Sequence, residues 1–298
     1  MKIAAFNGFS FHDEMFGYII YFCQLKKFEL TLYCRTEVYN DYMEFYKNHF
    51  KDFKFNIYDS RLFSYQKYSF DYIFLITDDD PNFLQDDPYI NNITIRIDHS
   101  PDIRREKIKN AIATRPFAEN YRQWAIPCYP IIYSNSKQNL LRLTNDIHII
   151  VLGSNYGNYD VSIINRLMSK KDCNIIIHAI SRTMEGDAFE GLDNRYQLLM
   201  YKNIAAGHLI ELLKKATYAL TDISHIKYEK EVMAGVIPLA FSTLTPLIIS
   251  EQSNKYYNFK NAIVFDKHSK ENIELVDINN NELELERQYL MEMFHSYF

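Results

Sequence analysis

The chain has 298 residues and a formal net charge of -5, which allows two domains of ordinary size, each with its own buried core. The mild negative charge and the lack of a long Lys/Arg block argue against a large electrostatic footprint for duplex nucleic acid. Cys23, Cys34, Cys128 and Cys173 have no paired spacing, which predicts reduced thiols and argues against a zinc site.

The ends and the apolar runs of the sequence predict where the protein resides. The first residues read directly as a strand, without the charged and apolar parts of a signal segment. The longest apolar run, residues 232–241, is too short to span a bilayer. These features predict a cytoplasmic protein. The bias towards Ile, Phe, Tyr, Asn and Lys is typical of an AT-rich genome, which favours a viral or bacterial source and, if viral, the host cytoplasm.

The first half of the chain alternates predicted strands with helical stretches. Strands are expected over residues 2–6, 28–34, 53–58, 71–77 and 93–97, and helices over 12–25 and 40–50. The run at 71–77 is almost entirely apolar, as in a parallel strand that is buried on both faces.

The second half repeats this alternation. Strands are expected over 147–152, 174–180, 198–201, 218–221, 237–241 and 261–265, and helices over 160–168, 207–215 and 282–298, with a further helix around Glu231. The polar stretch 134–145 separates the two halves. The sequence therefore predicts an α/β protein with two Rossmann-like domains, residues 1–134 and 145–298, that face a central cleft.

Ligands of parallel α/β sheets bind beyond the carboxyl ends of the strands, so the turns there hold the candidate site residues. The first turn contains Gly8 and Phe9 but lacks the further glycines of a dinucleotide fingerprint. No Walker loop and no Gly-x-Ser-x-Gly motif is present, which argues against simple NAD-dependent, NTPase and serine hydrolase functions.

The most informative motif is EVMAGVIPLAF, which begins at Glu231. It resembles the Glu-x-Met-Ala-x-x-x-Pro-Val-Val-Ala signature of glycosyltransferases with the GT-B fold, and the order of elements along the chain resembles theirs. The resemblance implies a helix, a tight turn and a buried strand, with Glu231 accepting hydrogen bonds from the ribose of a nucleotide sugar. A carboxylate suits that role because its two oxygens are acceptors only.

The segment IRIDHSP contains the candidate catalytic base, Asp98. It resembles the Thr-Asp-Ile-Arg-Leu-Pro stretch of phage DNA β-glucosyltransferases, whose Asp removes a proton from the acceptor. His99 and His12 are further catalytic candidates, because an imidazole at a strand end also accepts a proton. Each of these side chains has a purely structural alternative, such as an Asx turn at Asp98.

The same resemblance implies a donor site in the second domain. Gly153 and Ser154 follow its first strand, Asn203 and Ile204 are expected near the base, and Arg182, Ser224 and Lys227 near the diphosphate. The loop after residue 152 lacks the cation that the family commonly places there. Helix N-terminal amides would therefore contribute to diphosphate binding.

The acidic run at residues 78–80 offers an alternative. Asp78 and Asp80 follow an apolar strand, like the metal-binding Asp-x-Asp of GT-A glycosyltransferases, and would bind Mn²⁺ or Mg²⁺. The preferred interpretation places Asp78 beside the acceptor instead and requires no metal or other cofactor.

The sequence thus predicts a hexosyltransferase-like glycosyltransferase that moves a sugar from a UDP- or GDP-linked donor to an acceptor hydroxyl without a metal. The alternatives are a metal-dependent GT-A-like enzyme, a non-catalytic nucleotide-sugar-binding protein and, more remotely, a sugar-nucleotide epimerase with the same fold. Three properties are left open: the acceptor (glycan, protein or nucleic acid), the stereochemical outcome and the oligomeric state.

Overall fold

The computed structural model describes residues 1–9, 12–35, 42–77, 87–99, 110–114, 123–131, 146–153, 160–170, 172–182, 188–221 and 233–298. The chain divides into two compact units. Unit 1 comprises Met1–Tyr129 and Met291–Phe298, and unit 2 comprises Pro130–Leu290.

Unit 1 contains six strands and four α-helices in the described residues. The strands are β1 (Lys2–Phe6), β2 (Glu29–Cys34), β3 (Asn56–Asp59), β4 (Tyr72–Leu75), β5 (Thr94–Asp98) and β6 (Ala111–Ala113). The α-helices are α1 (Phe16–Lys26), α2 (Tyr42–His49), α3 (Phe63–Gln66) and α4 (Pro88–Ile93), and 3-10 turns cover Asp13–Met15, Ser60–Leu62 and Lys67–Ser69.

The six strands of unit 1 form one parallel sheet in the order β3-β2-β1-β4-β5-β6. The chain moves outwards from β1 to β2 and β3, and then returns to the other side of β1 for β4. Such a reversal opens a crevice between the carboxyl ends of the two central strands, where α/β proteins bind ligands. In unit 1 this position lies between the ends of β1 and β4.

Each face of this sheet is covered by apolar side chains. One face carries a cluster that includes Tyr33, Phe63 and Leu75. On the other face, Phe22 of α1 contacts the rings of Phe294 and Phe298, and Phe74 contacts the same two rings. The C-terminal residues 291–298 therefore belong to unit 1, whereas the sequence placed the whole terminal helix in the second domain.

Unit 2 repeats the plan with eight strands in the described residues. They are β7 (Ile147–Leu152), β8 (Leu167–Ser169), β9 (Ile175–Ser181), β10 (Tyr196–Lys202), β11 (Tyr218–Leu220), β12 (Leu247–Ser250), β13 (Ala262–Phe265) and β14 (Ile273–Leu275). The helices are α5 (Val161–Ile164), α6 (Ala206–Lys215), α7 (Val236–Thr243), α8 (Glu251–Tyr257) and α9 (Asn280–His295), of which only the part up to Leu290 belongs to unit 2.

The main sheet of unit 2 is parallel, in the order β10-β9-β7-β11-β12-β13, and β14 pairs with β8 in a small second sheet. The strand order reverses between β7 and β11, which places the equivalent ligand-binding position beyond Leu152 and Leu220. The predicted α/β class with two Rossmann-like parallel sheets is confirmed.

The predicted strand at residues 237–241 is wrong, because this segment belongs to helix α7. All eight residues of α7 are buried, so its sequence shows no polar face that would reveal a helical period. The hydroxyls of Ser242 and Thr243 donate to the carbonyls four residues earlier, at 2.7 and 2.9 Å. The helix ends at Leu244 in the left-handed conformation, and the strand follows as β12.

The predicted helix at 160–168 is also partly wrong, because it ends at Ile164 and β8 begins at Leu167. Asp160 caps the short helix by accepting from Ser162 N at 3.1 Å. The chain then turns so that Leu167 pairs with Ile273, a partner distant in sequence. Pairing of this kind leaves no signal in the local residue pattern.

Candidate functional site

The ends of β1 and β4 in unit 1 are joined by hydrogen bonds around Asn7. Ile76 N donates to Phe6 O at 2.9 Å, which holds the two strand ends side by side. The fully buried Asn7 donates from Nδ2 to Asp13 Oδ1 at 3.0 Å and accepts from Phe9 N at 3.1 Å. These bonds fix the loop that contains Gly8 and Phe9 at the reversal point of the sheet.

His12 and His99 meet at this edge. Their rings are stacked with centroids 3.9 Å apart and an interplanar angle of 1°. His99 follows β5 and is 7% exposed, and its Nε2 lies 2.6 Å from Ile76 O at the end of β4. Since a carbonyl only accepts, Nε2 of His99 carries a proton and donates it. His99 therefore forms a fixed surface against which the His12 ring is held.

Burial and the neighbouring His12 lower the pKa of His99 to about 3, so its ring is neutral near pH 7. A charged His12 ring is consequently not opposed by a second positive charge in the stack. His12 itself has a side chain that is 31% exposed and a left-handed backbone with φ of 65°. A non-glycine residue in this conformation is uncommon, and such positions cluster at functional sites.

Glu14 lies beside His12. Its Oε1 is 3.5 Å from His12 Nδ1. Burial raises the pKa of Glu14, but the hydrogen bond and the charge of His12 outweigh it, so the pKa is lowered and the carboxylate is ionised. A carboxylate facing Nδ1 favours the tautomer with the proton there, which places the basic lone pair of His12 on Nε2.

Asp98, the predicted base, is the last residue of β5 and is 1% exposed. Its backbone oxygen accepts from Thr114 N and Thr114 Oγ1, at 3.0 and 3.3 Å. The side chain of Arg96, two residues earlier and on the same side of the strand, is equally buried. Of the three predicted catalytic residues, His12 is the one whose side chain is accessible.

Thr77 is a further polar residue at this edge that the sequence did not single out. It follows β4 and is 2% exposed, and its Oγ1 has no hydrogen-bond partner among the described residues. A buried hydroxyl without a partner costs free energy, which makes Thr77 an unusual residue of this edge. Asp78, expected beside the acceptor, lies outside the described residues.

In unit 2, four of the predicted donor-site residues follow three adjacent strands. Gly153 N donates to Ile180 O at 2.7 Å, and Asn203 N donates to Ser181 O at 2.9 Å. Gly153, Arg182, Asn203 and Ile204 therefore lie at the same carboxyl edge of the sheet. The side chains of Arg182 and Asn203 are exposed there. This edge offers a cation, an amide and backbone groups to a ligand.

The other predicted donor-site residues, Ser154, Ser224, Lys227 and Glu231, lie outside the described residues. The motif around Glu231 needs a correction, because its helix, turn and Pro-led strand occur eight residues later, in α7, Leu244 and Pro246–Ser250. In the motif, the Glu stands seven residues before the proline that leads the strand. In the structure that proline is Pro246, and the residue seven positions before it is Leu239, which is 4% exposed. The local structure that the motif implied thus does not place Glu231.

The described residues lack both a cluster of metal ligands and a membrane-spanning helix. No group of three or more His, Cys, Asp or Glu side chains there is arranged to hold a metal ion. Within those same ranges, no helix has the length and apolar character needed to cross a bilayer. The four cysteines are all described and form no disulfide.

Sequence comparison finds no matching protein-family model and no matching curated protein. Comparison of structures does find similar folds. AviGT4, a glycosyltransferase involved in avilamycin A biosynthesis, is 9% identical with a TM-score of 0.60, covering 100% of this chain and 96% of its own. Anabaena Alr3699/HepE, solved with UDP and glucose, is 10% identical with a TM-score of 0.53, covering 98% and 93%. The chain therefore has the GT-B type of fold.

Proposed function

We propose that this protein is a glycosyltransferase that moves a sugar from a nucleoside-diphosphate donor to an acceptor hydroxyl, with His12 as the general base. The observation that carries this proposal is the stack of His12 on the neutral His99, with the Glu14 carboxylate at His12 Nδ1. This group lies where the strand order of unit 1 reverses, on a fold shared with glycosyltransferases.

In the proposed reaction, His12 Nε2 removes the proton of the acceptor hydroxyl. The acceptor oxygen then forms a bond to C1 of the donor sugar. The bond from C1 to the diphosphate oxygen breaks, and its electron pair leaves with the nucleoside diphosphate. Glu14 stabilises the imidazolium that forms at His12, and the fixed ring of His99 limits the orientations of the base. A single displacement of this kind inverts the configuration at C1.

Asp98, the first candidate from the sequence, becomes our second candidate for the base, because its burial supports a role inside the sheet. Thr77 Oγ1 and the Gly8–Phe9 loop are proposed to contact the acceptor, together with Asp78. The support is the position of the loop and of Thr77 at the reversal point, and the hydroxyl of Thr77 that has no partner in the described chain.

Unit 2 is proposed to bind the donor. Arg182 would contact the diphosphate, Asn203 and Ile204 the base, and Gly153 a phosphate through its loop. Ser154, Ser224, Lys227 and Glu231 are assigned to the same site, because their segments follow β7 and β11 at the reversal point of the sheet. No metal ion is proposed, since Arg182 and backbone amides would neutralise the diphosphate. The Anabaena protein was solved with UDP and glucose, which makes UDP-linked donors the first to test.

The test is a thermal-shift screen with UDP, GDP, ADP and TDP and their sugars, followed by product analysis with simple glycosides as acceptors. A donor at a hundred times its dissociation constant stabilises the folded state by about 2.7 kcal/mol. We expect at least one nucleotide sugar to stabilise the protein, and its sugar to be transferred with inversion in the presence of EDTA. Binding without turnover would instead favour a non-catalytic nucleotide-sugar-binding protein, and activity that requires Mn²⁺ would favour the metal-dependent alternative.

A further inference from the structure

Unit 1 contains a cavity of about 510 Å³ at the opposite edge of its sheet from His12. Its walls include Ile3 near the start of β1, Tyr72 at the start of β4, and Asn92 and Asn110, which precede β5 and β6. These are the amino ends of the strands, whereas His12 and His99 lie at the carboxyl ends. The volume is that of a small-molecule site, and nothing in the proposed transfer reaction uses it.

The floor of the cavity is one face of the sheet. Ile3 is beside Tyr72 in the register of β1 and β4, and Phe74 is beside Ile95 in that of β4 and β5, so these side chains point to the same side. Tyr72 is 41% exposed, which leaves its ring accessible to a ligand. The aromatic residues of the lining are Phe22, Phe28, Tyr72, Phe74, Tyr297 and Phe298.

Polar groups complete the lining. The amide side chains of Asn92, Asn110 and Gln123 each offer a donor and an acceptor. Asn110 Nδ2 also donates to Asn92 O at 3.2 Å, which holds two of these segments together. None of the described side chains that line the cavity is charged at neutral pH, and the terminal ammonium of Met1 and the terminal carboxylate of Phe298 add one charge of each sign. The lining thus has no net charge, which suits a neutral ligand with several hydroxyl groups.

We propose that this cavity binds a neutral sugar, separately from any nucleotide-sugar donor. The apolar C–H face of a pyranose ring packs well on an aromatic ring, and its hydroxyls need the paired donors and acceptors that amides supply. The binding requires no transfer reaction and is measured without a nucleotide, so it stands or falls independently of the proposed function.

The protein contains its own reporter for this cavity. Trp124 is the single tryptophan of the chain and follows Gln123, a lining residue. The hydroxyl of Tyr297, another lining residue, accepts from Trp124 N at 3.2 Å and donates to Trp124 O at 2.9 Å. A ligand that moves the Tyr297 ring or Gln123 therefore changes the surroundings of Trp124, and its fluorescence can be followed.

The experiment titrates the protein with cellobiose, maltose, N,N′-diacetylchitobiose and, for comparison, uridine, while Trp124 fluorescence and ligand-observed NMR are recorded. We expect saturable binding of at least one sugar with a dissociation constant in the millimolar range, and weaker binding of uridine. Replacing Tyr72 with Ala should raise that constant about fivefold, the effect of losing one ring contact. Gln123→Ala, on the rim, provides a second variant should Tyr72→Ala fail to fold.

The matched control is Tyr289→Ala, which removes a 63% exposed tyrosine that does not line the cavity. It should bind the sugar as the parent protein does. The proposal is overturned if none of the three sugars shows saturable binding with a dissociation constant below about 50 mM. A weaker interaction than that would not be a functional site. It is equally overturned if uridine binds more tightly than every sugar, or if folded Tyr72→Ala and Gln123→Ala bind the sugar with unchanged affinity.

Discussion

The two sheets have the same strand order, but they hold their buried histidines in different places. In unit 1, His99 lies beyond the end of β5 and stacks on His12 at the ligand-binding edge. In unit 2, His148 and His178 lie within β7 and β9, where His148 Nδ1 is 2.9 Å from His178 Nε2. His178 Nδ1 is 3.1 Å from the hydroxyl of Tyr201 on β10, so the chain of contacts crosses three strands.

This difference separates two uses of the same side chain. A histidine beyond a strand end can meet a ligand, because the crevice of the sheet opens there. A histidine within a strand is surrounded by its own sheet and serves folding, since its nitrogens are bonded to neighbouring side chains. The described carboxyl edge of unit 2 has instead the exposed Arg182 and Asn203 with backbone groups. The contrast agrees with the proposed function, in which unit 1 would accept the proton and unit 2 would bind the anionic donor.

The first prediction is that low pH destabilises the folded state of unit 2. Burial, aided by His148, lowers the pKa of His178 to about 4, whereas an unfolded histidine has a pKa of about 6.5. The unfolded state therefore binds more protons, and stability present above about pH 6.5 is lost as the pH falls towards about 4. The difference between the pKa values of His178 in the folded and unfolded states corresponds to a loss of roughly 3 kcal/mol in the free energy of unfolding.

Urea denaturation of the parent and of His178→Gln, at about pH 7.5 and about pH 4.5, measures this loss. His178→Gln cannot titrate at this position, so its stability should fall less between the two pH values. His268→Gln, at an exposed position, should behave like the parent. An equal loss of stability in all three proteins would show that His178 is not the cause of the acid sensitivity. It would also contradict the structural role that we give to the histidines of unit 2.

The second prediction compares two glycines. A Cβ on Gly17 would lie 2.2 Å from Cε1 of Tyr129, whose buried ring also contacts Tyr46 and Phe50. Gly17→Ala should therefore destabilise unit 1 by about 1–3 kcal/mol or more. Gly207 in α6 has no atom within 4 Å of such a Cβ, so Gly207→Ala should raise stability slightly. Thermal unfolding of both variants checks the opposite signs, and a neutral Gly17→Ala would contradict the close packing of Gly17 against Tyr129.

The third prediction tests the donor edge of unit 2. Arg182→Ala should weaken binding of the nucleoside diphosphate about tenfold, because a charge-assisted contact is lost. Arg61→Ala in unit 1, at a side chain that is 85% exposed, is the matched control and should leave affinity unchanged. Isothermal titration calorimetry distinguishes the two. Equal affinities for parent and Arg182→Ala would remove Arg182 from the donor site.

The fourth prediction has the smallest effect and concerns Glu14. Its carboxylate lies at His12 Nδ1 and helps to hold the ring, so Glu14→Gln should lower kcat about threefold, the effect of weakening one hydrogen bond, while the dissociation constant of the donor stays unchanged. Glu44→Gln, at an exposed position of the same unit, should leave kcat unchanged. A drop in kcat that is matched by a loss of thermal stability would indicate that Glu14 acts only on folding.

Much of the fold could be predicted from the sequence where strands are central and apolar. Residues 2–6 and 147–152 were predicted with the observed limits of β1 and β7, because both strands consist mostly of buried apolar residues and are followed by the turn residues Asn7 and Gly153. The error at residues 237–241 has the opposite cause, since an entirely buried helix shows no period. The strands β6 and β8, of three residues each, are defined by partners that only the folded chain brings near.

From the sequence, single residues of the candidate site could be predicted, but their contacts with one another could not. Strand ends identified His12, Asp98 and His99 as candidates, but neither the stacking of two rings nor the burial of Asp98 is encoded in local pattern. Glu14 was missed although it is two residues from His12, because the two side chains meet only through the left-handed backbone of His12. Thr77 had a weak signal, as a polar residue directly after an apolar strand.

The most direct test of the central claim measures turnover and donor affinity in the same preparation of His12→Ala, using the donor and acceptor found in the screen. If His12 is the base supplied by unit 1, kcat falls about 10²–10⁴-fold while the dissociation constant of the donor stays within error of the parent value. His268→Ala serves as the control and keeps both values. A kcat that survives in His12→Ala, or a loss of donor affinity that accounts for the whole drop in activity, would contradict the account.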